Sequence, residues 1–252
     1  MADLFAPPGS WRQDAQFRSL WQTAAQVDGW LSEGQARALY RAASLVPDGR
    51  WVVEIGSHHG RSTVLLANAK APGVKMLAVD PFDDPRWGGG PEALAAFQHT
   101  LETFGLRGAV EAHRGLSSEA AATWSGDPVG LLFVDGAHDR PSVLTDIDGW
   151  EDKIAPGGLV LFHDAFSAVG TTEALTLRHL LSRRFRFLGR ERTLVAFVRR
   201  ELGFLDAVAS GTALASGYPY FARNLAIKAL LRRGHTSVAR SALRYREEDD
   251  LY

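Results

Sequence analysis

The chain of 252 residues contains no cysteine. Disulfides, thiolate nucleophiles and zinc–thiolate sites are therefore excluded together. An excess of one charge is missing as well: 28 basic and 29 acidic side chains nearly cancel. No global field argues for nucleic acid or an anionic membrane as a partner. No apolar run approaches the roughly 20 residues of a membrane-spanning helix. The first residues, Met1-Ala2-Asp3-Leu4, lack the basic and apolar regions of a signal peptide, so a soluble, cytoplasmic protein is expected. There is no internal repeat and no low-complexity segment.

Hydrophobic residues, at 46%, are ordinary for a chain with a sizeable core. Their spacing predicts three stretches. Residues 1–48 read as a helical segment. Trp21, Val27, Trp30 and Leu31 precede a capping box at Ser32-Glu33-Gly34-Gln35, and Leu39, Tyr40 and Ala43 continue at helical spacing until Pro47-Asp48-Gly49 stops the helix. Residues 49–200 read as a core of alternating strands and helices. Strands are expected at Trp51–Ile55, Met76–Asp80, Val110–His113, Leu131–Asp135 and Leu159–His163, with helices over 61–69, Glu92–Phe104 and 172–183. Val143, Leu144, Ile147, Trp150 and Ile154 mark one face of a further helix, ended by Pro156-Gly157-Gly158. Phe185–Leu188 and Leu194–Val198 are close enough to pair as a hairpin. Residues 201–252 return to helical periodicity at Phe221, Leu225, Leu230 and Leu231. The expected fold is a doubly wound, mostly parallel, seven-stranded α/β sheet with N- and C-terminal helical extensions.

In such a sheet, ligands bind beyond the carboxyl ends of the strands. The first strand runs into Glu54-Ile55-Gly56-Ser57-His58-His59-Gly60-Arg61-Ser62. Gly56 and Gly60 permit a sharp turn and close approach of a ligand. The second strand ends in Asp80, where an acidic side chain meets ribose hydroxyls in doubly wound folds. The glycine spacing is G-x-x-x-G and lacks the middle glycine of dinucleotide sites. Glu54 is ill-suited to face a pyrophosphate and suited to an ammonium group. The plainer reading of this turn is an α/β connection that needs glycine and binds nothing. Ser117 and Ser118 after the third strand either meet an adenine or cap the next helix.

The fourth strand ends in Asp135-Gly136-Ala137-His138 and the fifth in His163-Asp164. Two carboxylates and imidazoles around one point suit a hard cation such as Mg2+ or Mn2+, with a neighbouring histidine to take a proton. Alternatively, Asp135 and Asp164 cap the helices that follow them.

From Leu39 to about Phe197 the chain resembles class I S-adenosylmethionine-dependent methyltransferases, in particular the group of macrocin and mycinamicin-type sugar O-methyltransferases. The resemblance is carried by Val53-Glu54-Ile55-Gly56 with Gly60-Arg61-Ser62, by Val79-Asp80-Pro81-Phe82, by Phe133-Val134-Asp135-Gly136-Ala137-His138, and by Pro156-Gly157-Gly158 with Phe162-His163-Asp164. It implies a cofactor site for S-adenosyl-L-methionine at Glu54, Gly56, Ser57, Gly60, Ser62, Asp80, Ser117 and Asp135, with Glu54 either ordering the loop or meeting the cofactor's ammonium. It implies His138 as general base and a divalent cation, Mg2+ or Mn2+, on Asp135, His163 and Asp164. Here the chain departs from the family pattern, which has an acid where this sequence has His163, so one negative charge is lost. The implied acceptor is a hydroxyl of a small molecule, sugar, oligosaccharide or glycosylated natural product. No nucleic acid or membrane partner is expected, and a homo-oligomer is compatible with the terminal helices. The rival readings are a catechol-like O-methyltransferase, an NAD(P)-dependent reductase, which lacks its glycine fingerprint here, and a non-catalytic cofactor-binding or assembly protein.

Of His58 and His59 in the turn, one either points at substrate or cofactor or lies at the surface like the other, and neither is taken as base; Asp83 and Asp84 lie either near the cleft or in a solvated loop, and His99, His113, His179 and His235 are set aside. The glycines of 88–90 are either a cover over the cofactor or a plain loop. Arg223, Arg232, Arg233 and Arg240 either grip a polar substrate or lie on exposed helix faces, and Glu247-Glu248-Asp249-Asp250 reads as a solvated tail.

Overall fold

Seven strands form one sheet in the computed structural model, which describes residues 4–83 and 89–246. The strands are β1 (Trp51–Ile55), β2 (Lys75–Asp80), β3 (Glu111–Arg114), β4 (Val129–Val134), β5 (Ile154–Phe162), β6 (Phe185–Glu191) and β7 (Leu194–Arg199). The helices are α1 (Asp14–Ala24), α2 (Glu33–Ser44), α3 (Arg61–Ala69), α4 (Pro91–Thr103), α5 (Ser117–Ala122), α6 (Arg140–Trp150), α7 (Val169–His179), α8 (Phe204–Ala215), α9 (Tyr218–Arg232) and α10 (Thr236–Leu243). The strand order is β3-β2-β1-β4-β5-β7-β6. The pairs among β1 to β5 are parallel, and β7 alone runs antiparallel to its two neighbours.

Strands β1 and β4 are buried along their whole length and lie side by side at the centre. That burial requires helices on both faces of the sheet. One face carries Phe17, Leu39, Leu65, Leu66 and Phe97 from α1 to α4; the other carries Val143, Ile147, Trp150 and Leu175 from α6 and α7. The chain reverses its direction of winding between β1 and β4, which leaves a crevice beyond their carboxyl ends.

The capping box at Ser32 is present: the backbone N–H of Ser32 donates to Gln35 Oε1 at 2.9 Å, and that of Gln35 donates to Ser32 Oγ at 3.4 Å. Three expectations are corrected. Val27, Trp30 and Leu31 lie between α1 and α2 rather than in a helix, because α2 starts from its own cap. Ile154 begins β5 instead of ending α6. Pro156 and Gly157 form an exposed bulge inside that strand, where the register against β4 shifts. Proline cannot donate to the ladder and is tolerated at such a bulge. The helix placed at 172–183 spans Val169–His179. His179, set aside from the site, is buried in the core against Phe162, Phe185 and Phe197.

The C-terminal helices serve the sheet. Asn224 Nδ2 on α9 donates to the Phe166 carbonyl at 2.9 Å, and Lys228 Nζ donates to that of Ser167 at 3.1 Å, which pins the loop after β5. Arg223 donates to the carbonyls of Leu243 and Arg244 and so ties α9 to the end of α10. Arg232, Arg233 and Arg240 are exposed. No helix among the described residues is long and apolar enough to cross a membrane. Asp84, Pro85, Gly88 and the acidic run 247–250 lie outside the described residues.

Candidate active site

Gly56 leaves β1 at φ +86°, a conformation that favours glycine. A Cβ there would drive into the backbone carbonyl of Asp135 and the N–H of Gly136. The ends of β1 and β4 therefore approach as closely as they do only because residue 56 has no side chain. Gly60, at φ +93°, precedes α3 and leaves room for Phe97 and Thr100 of α4.

Glu54 lies beneath this turn and is fully buried. Ser57 Oγ and Thr63 Oγ1 donate to its Oε2 at 3.0 and 2.5 Å, so the acid holds the turn from below. Burial pushes its carboxyl up to about 7, against the ordinary 4.5. Between those values the folded chain keeps a proton that the unfolded chain has lost. The associated stability is full below the unfolded value and falls as pH rises through about 7, by about 3 kcal/mol in total. Glu54→Gln is expected to flatten that decline. Urea unfolding of both proteins at about pH 5 and about pH 8 measures it, and an unchanged slope in the variant would contradict the assignment.

Above the turn is a cavity of about 460 Å³. Gly56, Ser57, Ser62, Asp80, Ser117 and Asp135 all line it, so six of the expected cofactor residues share one wall. Glu54 and Gly60 do not line it; they shape the turn and its packing. Asp80 is fixed by two backbone donors, His58 N–H to Oδ2 at 2.8 Å and Phe82 N–H to Oδ1 at 2.6 Å. Ser117 opens α5, whose N-cap is Leu116, so the serine does not cap that helix. Its hydroxyl donates to Oδ1 of Asp146 on α6. Burial raises the Asp146 carboxyl to about 6.

Sequence reasoning passed over Asp146, although an acid between the buried Val143, Ile147 and Trp150 of an amphipathic helix was a legible signal. It also missed Asp28 and Trp30, which form part of the wall. His58 is the histidine of the turn that lines the cavity, at φ +45°, and both its ring nitrogens are buried without a hydrogen-bond partner. Its ring stacks on His59 and lies 5.0 Å from that of Trp30, and burial lowers its pKa. No residue of 201–246 lines the cavity; Gly89 and Asp83 do.

The ends of β4 and β5 bring four groups together. His138 Nε2 lies 3.3 Å from Asp164 Oδ2. His163 Nδ1 lies 3.0 Å from Asp135 Oδ1 and 3.5 Å from Asp164 Oδ2. Neither acid caps a helix: Asp139 caps α6, accepting from Ser142 N–H at 3.0 Å, and Ala168 precedes α7. Burial alone would lower the pKa of His163, but the carboxylates of Asp135 and Asp164 outweigh it and hold the imidazole well above its ordinary value. Burial would raise Asp164; the charge and hydrogen bond of His163 reverse that and take it down to about 2.

This arrangement does not fit a divalent cation on the expected set of Asp135, His163 and Asp164. The nitrogen of His163 that faces the acids is engaged as their donor. The other ring nitrogen, buried without a hydrogen-bond partner, diverges from them. Among the described residues, Asp135, His138 and Asp164 do bring one ligand atom each to within 4.8 Å of the others. A cation there would claim the imidazole expected to act as base.

Residues 53–165 match a family model described as a methyltransferase domain. The uncharacterized protein y4gI of Sinorhizobium fredii is 30% identical over 146 residues, a match that takes in 54% of this chain and 15% of that protein. The chain thus spans a small part of that relative's length. Among solved structures, the SAH-bound methyltransferase PaMTH1 of Podospora anserina superposes with a TM-score of 0.57 at 15% identity, over 73% of this chain and 87% of that one. An O-methyltransferase from Bacillus cereus in complex with SAH superposes with a TM-score of 0.52 at 16% identity, over 79% of this chain and 96% of the other.

Proposed function

We propose that this chain, which has the class I methyltransferase fold and carries a methyltransferase domain over residues 53–165, transfers a methyl group from S-adenosylmethionine to a hydroxyl, with His138 as general base. The observation that carries this reading is the position of His138. It lies 3.3 Å from Asp164 and lines the same cavity as Gly56, Ser57 and Asp80.

The cavity fits the cofactor in size and lining. The close turn at Gly56 with Ser57 and Ser62 suits the amino-acid end, Asp80 suits ribose hydroxyls, and Ser117 with Asp146 suits the adenine. Bound there, S-adenosylmethionine supplies an electrophilic methyl group on a sulfonium. Asp164 lies beside His138, its Oδ2 3.3 Å from Nε2, and would orient the imidazole as base. His138 takes the acceptor's proton as the hydroxyl oxygen attacks the methyl carbon. The carbon–sulfur bond breaks with its electrons on sulfur.

The acceptor class we propose is a sugar, oligosaccharide or glycosylated natural product. The wall offers the carboxylates of Asp28 and Asp83 to donating hydroxyls, and the Trp30 indole to the apolar face of a sugar ring. A homo-oligomer would cover Leu177 on α7, Leu181 just after it, and Phe204 and Leu205 on α8, which stand exposed. Calorimetry with S-adenosylhomocysteine and with NADH tests the cofactor. Binding of the first and not the second is expected, and the reverse would sink the reading. Labelled methyl transfer to sugar and catechol acceptors side by side then decides between an aliphatic and an aromatic hydroxyl.

A further inference from the structure

The geometry points to His163 as the built-in tie of this site: its Nδ1–H bridges Asp135 and Asp164 and stands where a divalent metal would otherwise tie the ends of β4 and β5. The inference rests on reading the crevice as a methyl-transfer site and adds what holds its acids in place. His163 continues β5 and is held there by its backbone N–H, which donates to the Val134 carbonyl at 3.0 Å. The side chain is almost wholly enclosed. Its Nδ1 faces one oxygen of each acid, at 3.0 and 3.5 Å. A nitrogen lone pair aimed at two carboxylates would be repelled, so this nitrogen carries hydrogen.

Two acids on adjacent strand ends repel each other unless a donor or a cation lies between them. A metal would serve as an exchangeable ion. His163 supplies an N–H covalently, from a strand whose position the sheet already determines. The following turn is set as well: Asp164 has φ +54°, and α9 anchors Phe166 and Ser167 through Asn224 and Lys228. Asp164 thereby stays aimed at His138. A divalent ion added among Asp135, His138 and Asp164 would have to break the contacts of His163 with the same two carboxylates, and no third acid there offsets its charge.

The test is Mn2+ binding to the full chain, followed by electron paramagnetic resonance after dialysis against EDTA, with and without S-adenosylhomocysteine. The wild type is expected to bind no stoichiometric Mn2+ and to melt at the same temperature before and after chelation. His163→Asp removes the bridging donor and adds a third acid, so Mn2+ affinity should rise by at least about tenfold. One Mn2+ bound by the wild type and lost in Asp135→Asn would overturn the inference. So would a folded His163→Asp chain that binds Mn2+ no better than the wild type. If that variant does not fold, the wild-type titration still decides. Calorimetry with S-adenosylhomocysteine on the same samples keeps the outcomes apart: its failure counts against methyl transfer, while the Mn2+ result bears on His163 alone.

Discussion

His138→Ala is expected to lower methyl transfer by about 100- to 10,000-fold, the range that a positioned general base contributes, while S-adenosylhomocysteine binds as before. The separation follows from the layout of the crevice. His138 lies at the end of β4 beside Asp164, whereas the glycine turn and Asp80 belong to β1 and β2. Removing the imidazole deletes the proton acceptor and leaves the β1 and β2 side of the cavity in place. Steady-state rates with a responsive acceptor, paired with calorimetry, give both numbers. Loss of binding along with rate would assign His138 a structural role, and undiminished transfer would remove it from the mechanism.

Gly56→Ala should have the second largest effect, and for a different reason. Two costs coincide at this residue: a left-handed backbone and a Cβ driven into the Asp135 carbonyl. Together they should cost roughly 2–4 kcal/mol of stability. Cofactor binding should weaken as well, because β1 and β4 must part where the ligand sits. Gly157 offers the control. It has φ +79° with nothing near its missing Cβ. Alanine there should cost only the backbone penalty, about 1–2 kcal/mol, with cofactor affinity unchanged. Denaturant unfolding of both variants compares the two, and equal losses would mean that the close approach of β1 and β4 carries no weight.

The sheet was largely legible because each central strand is a short apolar run ending in a glycine or an acid. β1, β4 and the second half of β5 fall where periodicity and turn residues put them. The start of β5 was not legible. Ile154 continues the spacing of Val143, Ile147 and Trp150, and only pairing with Val129 reveals it as strand. Strand order also needed the structure. That β1 neighbours β4, so that Gly56 touches Asp135, depends on contacts between distant segments.

The division within the site has the same cause. The sequence alone determined which side chains stand at the strand ends, since the residue after an apolar run emerges beyond the sheet whatever surrounds it. Gly56, Asp80, Asp135, His138, His163 and Asp164 were all found that way. What those groups do to one another was decided only in three dimensions. Glu54, read as ordering the loop or meeting the cofactor's ammonium, is a buried brace, because Ser57 and Thr63 turn their hydroxyls onto it. Trp30 and Asp28 entered the cavity wall from a segment read as helix. His163, read as a weakened metal ligand, faces Asp135 and Asp164 as a donor. Spacing along a chain records the residue types available, whereas the charge on an imidazole is set by the oxygens that the fold brings within hydrogen-bonding distance of it.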